Sequence, residues 1–256
     1  MIKFKKFFVD TFFPRKLTCN FCGREVFGDV AVCEDCKNSL PYNDGFCCFR
    51  CGRKTPIATE ACESCSGREW FVDKARSAFN YDKPVSYAIH RFKYDNGRFL
   101  GEFFADYLYP LYMKDLPACD CVIPVPISKE RMKDRGFNQS ELLAKGVSEK
   151  TGIPLYSDVV YKSKETERQV GLNARERMIN LAGSFSVKNG NKIKGKTALL
   201  IDDVLTTGAT SNYIAKILKK HGAEEVYLLT IASTGRKERI KTPDGVVGEK
   251  EKSVFK

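Results

Sequence analysis

Histidine, tryptophan and long apolar runs are scarce in this chain of 256 residues. Only His90, His221 and one tryptophan occur. Hydrolases built on Ser–His or Cys–His pairs need a histidine beside the nucleophile, so this content disfavours that class. No apolar run has the length of a signal-peptide core or a membrane-spanning helix. We therefore expect a cytoplasmic protein without stable membrane insertion.

The charge balance is basic, although the overall composition is that of an ordinary globular protein. The formal net charge is +11. Eight cysteine thiolates holding two zinc ions would lower it to about +7. This balance fits anionic partners such as phosphates or nucleic acid, and it also fits a solvated surface rich in lysine.

The composition divides the chain into three parts. Residues 1–68 hold most of the cysteines and few aliphatic residues, residues 69–235 are rich in aromatic and aliphatic residues, and residues 236–256 form a polar tail that we expect to be disordered. Near the N-terminus, the spacing of Phe4, Phe8 and Phe12 predicts a short helix with one aromatic face. That face fits docking onto the body of the protein or onto a membrane surface.

Strand-like and helix-like segments alternate after residue 69. This alternation predicts an α/β domain with a mainly parallel sheet flanked by helices. The charged segment 161–182 is expected to be an excursion from the domain or a mobile loop. The predicted strands are 75–81, 197–201 and 225–232, and the predicted helices are 138–151 and 210–221. Between the first strand and the first of these helices lie amphipathic segments at 84–94 and 97–113 and an apolar stretch at 119–127.

Nine of the eleven cysteines lie between residues 19 and 65, eight of them in four C-x-x-C pairs. Each pair offers two sulfurs from one turn, and two pairs complete a tetrahedral zinc site. Two structural Zn²⁺ sites are therefore predicted, with the pairs combined either sequentially or in an interleaved order. The ligands are Cys19, Cys22, Cys33, Cys36, Cys48, Cys51, Cys62 and Cys65.

Zinc in this module can replace a missing hydrophobic core, because metal binding contributes about 10 kcal/mol or more to folding. A ribbon that binds nucleic acid is the alternative. The first 70 residues contain eleven Lys/Arg and nine Asp/Glu, which gives no strong basic bias and favours the structural role. Cys47 is left without a pairing partner, and Cys119 and Cys121 are predicted to be small buried residues.

The segment TALLIDDVLTTGAT, residues 197–210, joins an apolar strand to two acids and a loop of small, hydroxyl-bearing residues. At the carboxyl end of a parallel strand, such a loop and the following helix N-terminus bind phosphate through backbone amides. Carboxylates accept hydrogen bonds from a cis diol. The combination fits a ribose 5-phosphate, and the Walker pattern with its lysine is absent.

IDDVLTTGAT resembles the phosphoribosyl-pyrophosphate (PRPP) motif of type I phosphoribosyltransferases. IPVPISKERMKDRGFNQSELLA, QVGLNARERMINLAGSF and the cysteine pairs resemble the competence protein F (ComF) family over residues 12–232. The resemblance implies that Asp202 and Asp203 contact the ribose and the magnesium-bound substrate. It implies a 5-phosphate site formed by Thr206, Thr207, Gly208, Ala209 and Thr210, and it makes Arg131, Arg135 and Lys93 candidates for the pyrophosphate. Gln169, Arg177 and Asn180 match the family's mobile segment.

Two functions follow from the resemblance. The chain is expected either to transfer a phosphoribosyl group from Mg²⁺-bound PRPP to an unidentified acceptor, or to bind PRPP without turnover. In the second case the zinc ribbon and the basic surface would bind single-stranded DNA and proteins of DNA uptake. The predicted fold is a type I phosphoribosyltransferase domain with a small N-terminal zinc-ribbon module.

Overall fold

A computed structural model describes residues 18–26, 30–95, 97–163 and 183–235. Several predictions lie outside these residues: the aromatic N-terminal helix, Gln169, Arg177, Asn180 and the polar tail from residue 236. Among the described residues, none of the helices combines the length and the apolar character needed to span a bilayer.

The described elements follow the predicted alternation after residue 69. The strands are β1 (Lys74–Asn80), β2 (Cys121–Pro124), β3 (Val160–Lys162), β4 (Phe185–Val187), β5 (Thr197–Leu205) and β6 (Glu225–Ser233). The helices are α1 (Glu34–Ser39), α2 (Val85–Tyr94), α3 (Leu100–Asp115), α4 (Lys129–Arg135), α5 (Gln139–Thr151) and α6 (Ala209–Lys220). A 3₁₀ turn spans Gly190–Ile193.

Four strands form a sheet in the order β1-β6-β5-β2, and every pairing within it is parallel. β3 and β4 form a separate antiparallel pair. A parallel sheet needs crossover connections, and here helices α2 to α6 supply them. The mainly parallel α/β architecture predicted from the sequence is confirmed.

The sheet separates two hydrophobic clusters. Along β5, Leu199 and Ile201 belong to one cluster, and Ala198 and Leu200 belong to the other, because successive side chains of a strand point to opposite faces. Residues of α2, α3 and α5 cover the first face, whereas α6 covers the second. The cysteine-rich module contributes residues to both clusters. The domain boundary near residue 69 therefore stays a prediction.

Local signals place α5 correctly, but they end β5 too early. Asn138 caps α5, its side chain accepting a hydrogen bond from Ser140 N, and Gly152 ends the helix in the left-handed conformation. The predicted strand 197–201 is too short, because β5 continues through both aspartates to Leu205. Pairing with β6 extends to Leu205 and Ser233, so the ladder outweighs the polar side chains.

Candidate functional site

The two adjacent acids lie within the last part of β5, at the carboxyl edge of the sheet, rather than just beyond the strand. Asp202 Oδ1 accepts hydrogen bonds from Ser140 Oγ at 3.0 Å and from Asp203 N at 2.9 Å. Asp203 Oδ2 lies 2.8 Å from Lys93 Nζ. Both partners of this ion pair are largely buried. β5, α5 and α2 therefore bring the acid pair and one cation together.

Burial and mutual repulsion make the acid pair a strained electrostatic arrangement. Burial first, and then the charge of Asp203, raise the pKa of Asp202 to about 7, against the hydrogen bonds from Asp203 N and Ser140. Burial disfavours the charged form of Lys93, but Asp203 outweighs it, so the pKa of Lys93 is raised. Burial and the neighbouring charge thus favour the protonated form of Asp202.

The predicted phosphate loop follows β5 directly and leads into α6. Gly208 has φ +74°, a conformation that favours glycine, and it precedes the first helical residue, Ala209. Ala209 and Thr210 therefore belong to the helix rather than to the loop before it. Ala209 N donates to Thr207 Oγ1 at 3.3 Å, and Gly208 itself provides no side-chain cap. The first turn of α6 presents its amides at the sheet edge that holds the acids.

The arginine candidates differ in how they are held. Arg135 Nη1 donates to Gln139 Oε1 at 2.9 Å and Nη2 donates to the hydroxyl of Tyr94 at 3.0 Å. Gln139 precedes Ser140, which donates to Asp202, so Arg135 lies near the acid pair. Arg131 is exposed on α4, a helix with no buried residue. Arg177 lies outside the described residues.

Three residues of the site region were not predicted to act there: Ser140, Gln139 and Trp70. Ser140 holds Asp202, and Gln139 is buried with its Nε2 lacking a hydrogen-bond partner within the described part of the chain. Their position just after the predicted cap Asn138 was the available signal. Trp70 packs against Gly208, and no local sequence pattern predicts that contact.

The eight predicted zinc ligands form two groups of four, and in each group all sulfurs lie within 4.8 Å of one another. The first group combines the pairs beginning at Cys19 and Cys33, and the second combines those beginning at Cys48 and Cys62. The structure thus shows the sequential pairing. Backbone amides point at the sulfurs: Cys33 N to Cys19 Sγ at 3.4 Å, and Cys62 N to Cys48 Sγ at 3.2 Å. Four sulfurs with amide donors fit a tetrahedral zinc ion.

The two cysteine groups are a structural repeat, since each ligand of the first has a counterpart 29 residues later. The two turns contain equivalent hydrogen bonds: Cys19 N donates to Arg24 O in the first, and Cys48 N donates to Arg53 O in the second. We call the part of residues 18–39 that the structure describes the first ribbon, and residues 46–66 the second ribbon.

Family models match both parts of this architecture. A double zinc ribbon domain matches residues 8–66, and a phosphoribosyl transferase domain matches residues 138–253. Together with the parallel sheet and its flanking helices, these matches establish the type I phosphoribosyltransferase fold joined to an N-terminal double zinc ribbon.

Relatives that match over most of both chains identify the family. Competence protein F of Haemophilus influenzae is 34% identical over 211 residues, which cover 78% of this chain and 90% of that protein. The chain belongs to the competence protein F family. ComFC of Bacillus subtilis is 28% identical and covers 81% of this chain and 90% of its own. The DNA utilization protein YhgH of Escherichia coli K12 is also 28% identical, over 84% of this chain and 90% of its own.

Solved structures agree less closely with this ComF-family chain. The allosteric regulatory enzyme of purine biosynthesis matches 56% of it, and 26% of its own length, at 23% identity with a TM-score of 0.36. That value is too low to add to the family assignment.

Proposed function

We propose that this chain binds magnesium-bound PRPP at the carboxyl edge of the sheet and transfers its phosphoribosyl group to an unidentified acceptor. One observation carries the proposal: the acid pair and the phosphate loop are consecutive on β5 and α6, and Lys93 supplies a cation at the same point. A phosphorylated pentose has a diol and a phosphate a few ångströms apart, which matches this order of groups.

Each group has a place in the proposed complex. The amides of residues 206–210 hold the 5-phosphate, and Asp202 and Asp203 accept hydrogen bonds from the ribose hydroxyls. When a ribose hydroxyl replaces Lys93 as the hydrogen-bond donor to the carboxylate of Asp203, the ammonium of Lys93 becomes available to the pyrophosphate. Arg135 and Arg131 are further candidates to bind the pyrophosphate, because a guanidinium suits bidentate contact with phosphate. Arg131 is the more exposed of the two.

The proposed reaction is a displacement at the anomeric carbon. The bond to pyrophosphate breaks, the leaving group keeps the electron pair, and the nitrogen of an acceptor bonds to the carbon from the opposite face. The acceptor nitrogen gives up its proton to the departing pyrophosphate or to water. Positive charge develops on the sugar, as in glycoside chemistry. The Mg²⁺ ion of the substrate would neutralise charge on the pyrophosphate. The protein supplies positioning and electrostatic stabilisation and needs no covalent nucleophile.

The cysteine groups are proposed to hold one structural Zn²⁺ each. Eight zinc-bound thiolates require a reducing environment during assembly, which supports a cytoplasmic location. Mass spectrometry under native conditions should then show two zinc ions per chain, released only after acidification or chelation.

Thermal unfolding with and without Mg²⁺ and PRPP tests the site. PRPP should raise the melting temperature of the wild type, since a ligand at 100 times its Kd adds about 2.7 kcal/mol to stability. Asp203→Ala should abolish this shift while leaving the zinc content unchanged. Asp158→Ala is the matched control, because Asp158 is an exposed acid paired with Lys192. An unaltered shift in Asp203→Ala would disprove the site.

A second candidate function is binding of PRPP and single-stranded DNA without turnover, as part of DNA uptake. Phe46 and Phe49 of the second ribbon are exposed by 58% and 46%, and Arg50 and Lys54 neighbour them in sequence. Exposed aromatic rings beside cations suit stacked bases and a phosphate backbone. The names of the relatives, competence and DNA utilization proteins, favour the same partner.

Two assays separate the candidates. Pyrophosphate release from PRPP in the presence of nucleobases or amines supports transfer. No release with any acceptor, together with DNA binding that weakens as salt rises and weakens further in Phe46→Ala, supports the second function.

A further inference from the structure

The single tryptophan of the chain lies against the phosphate loop. A Cβ atom added to Gly208 would lie only 2.5 Å from Cη2 of Trp70 and 3.4 Å from Cδ1 of Leu205. The indole therefore occupies the space beside the turn that leads into α6. Any displacement of Trp70 removes a wall from the loop, and any side chain at position 208 collides with the ring.

The same indole is fixed to the second ribbon. Its Nε1 donates to the carbonyl oxygen of Arg50 at 3.0 Å. Arg50 lies between the two predicted zinc ligands Cys48 and Cys51, in the turn that presents both sulfurs. The orientation of this carbonyl depends on the turn, which zinc held by both sulfurs would fix further.

The residues next to Trp70 are fastened to the first turns of α6. Phe71 N donates to Asn212 Oδ1 at 2.5 Å, and Asn212 Nδ2 donates to the carbonyl of Glu69 at 3.0 Å. Asn212 is buried, and its own N–H donates to Gly208 O at 2.9 Å. One side chain thus joins the tryptophan segment and the phosphate-binding helix.

A second connection runs from the ribbon to the other side of the loop. Arg53 Nε donates to the carbonyl of Thr234 at 2.9 Å. Thr234 Oγ1 in turn donates to the carbonyl of Thr206, the first loop residue, at 3.4 Å. The second ribbon is therefore linked to both ends of the segment 206–208, through Trp70 at Gly208 and through Thr234 at Thr206.

We infer that Trp70 is a positioning residue that couples the second zinc site to the phosphate loop. The inference rests on the proposed function, because it takes the loop to bind the 5-phosphate of PRPP. Zinc at the second ribbon raises the affinity of the loop for the phosphate, and by thermodynamic reciprocity the phosphate tightens the binding of that zinc. We expect the tighter binding to slow its release. The first ribbon contacts the other face of the sheet.

Zinc release and tryptophan fluorescence test the coupling in the intact protein. A chromogenic chelator reports the release of the two zinc ions with and without saturating PRPP or ribose 5-phosphate. Either ligand should slow release of one ion by about 10-fold and leave the other unchanged. Because the chain has one tryptophan, the same ligands should also change its emission, and this measurement needs no mutation.

Variants then assign the effect to the indole. Trp70→Ala should remove the difference between the ligand-bound and free release rates, and Trp70→Phe, which keeps a ring against Gly208 but loses the hydrogen bond, should retain part of it. Tyr87→Ala is the matched control, since Tyr87 contacts Gly23 of the first ribbon and lies away from the loop. It should leave the coupling intact.

The outcomes separate this inference from the proposed function. If calorimetry shows that PRPP binds, but zinc release and tryptophan emission do not respond, the coupling is overturned and the binding site stands. If the wild type binds neither PRPP nor ribose 5-phosphate, both the proposed function and the coupling fail. If Trp70→Ala does not fold, the unmutated protein's release rates and emission still decide the question.

Discussion

The two ribbons share a metal-binding skeleton but are joined to the rest of the protein in different ways. Phe21 of the first ribbon is fully buried and makes edge contacts with Phe79, Phe103 and Phe104. Its counterpart 29 residues later is Arg50, whose backbone carbonyl holds Trp70 instead. The first ribbon is therefore anchored by apolar packing, and the second is anchored largely by directed hydrogen bonds.

In each ribbon an arginine follows the first C-x-x-C pair, which we call a knuckle, and these two arginines show the same difference. Arg24 forms an exposed ion pair with Asp35 of its own ribbon. Arg53 reaches the carbonyl of Thr234 beside the phosphate loop. The first ribbon also fixes α2, because Arg91 donates to the carbonyls of Cys19 and Asn20. The repeated metal scaffold thus contacts α2 from the first ribbon and the segment beside the phosphate loop from the second.

Removing the buried anchor of the first ribbon should have the largest effect. Phe21→Ala should lower the free energy of unfolding by about 3–5 kcal/mol, because it leaves a cavity among packed rings. Denaturant unfolding measures this. Phe46→Ala, at an exposed position of the second ribbon, should stay within about 0.5 kcal/mol of the wild type. Equal losses in the two variants would contradict the packing difference.

The knuckle glycines should also respond unequally. Gly52 has φ +66°, and a Cβ there would lie 2.5 Å from the carbonyl oxygen of Ala75. Gly52→Ala should therefore cost about 2 kcal/mol or more, since strain and collision with backbone add. At Gly23 the nearest atom is Tyr87 Oη at 3.3 Å, so Gly23→Ala should cost about 1 kcal/mol. Thermal unfolding measures the loss of stability in both variants. A larger loss in Gly23→Ala than in Gly52→Ala would refute the closer approach of the Gly52 turn to the sheet.

The arginine pair separates stability from ligand binding. Arg53→Ala should weaken PRPP binding by about 3-fold to 10-fold, because it loosens Thr234 and the loop it contacts. Arg24→Ala should leave PRPP affinity unchanged and change stability little, as expected for an exposed ion pair. Isothermal calorimetry gives both affinities. Equal affinities in the two variants would argue against a link from the second ribbon to the loop.

Changing the pH should affect the acid site and the ribbons in opposite directions. The folded state holds the proton of Asp202 up to a pKa of about 7, above its usual value of 3.8, so stability should fall as pH rises from about 4 to 7. Zinc retention should instead improve with pH, because thiolates bind the metal. Asp202→Asn should flatten the stability decrease and leave zinc retention as it is. A wild-type decrease that persists in Asp202→Asn would place its cause elsewhere.

Local chemistry explains why much of the fold could be predicted. Cysteine spacing identifies the ligands because each knuckle is one turn, and Asn138 and Gly152 identify the limits of α5 for similar reasons. The combination of the knuckles was left open, since every pair has the same local geometry. The end of β5 was misjudged because two aspartates suggest a loop, whereas pairing with β6 decides the strand.

Contacts across long sequence distances could not be predicted from the sequence. Lys93 was expected to face the pyrophosphate, but nothing local indicates that α2 would place its ammonium on Asp203. Trp70 likewise meets Gly208 only because the second ribbon docks beside α6. Whether the cations and the loop contact PRPP stays a prediction.

The most direct test of the central claim is a density map of crystals soaked with Mg²⁺ and PRPP. The 5-phosphate should lie at the amides of residues 206–210, with ribose hydroxyls within hydrogen-bonding distance of Asp202 or Asp203 and the pyrophosphate beside Lys93. Density for PRPP at another surface, or an acid pair that stays closed on Lys93 with no pentose beside it, would contradict the account.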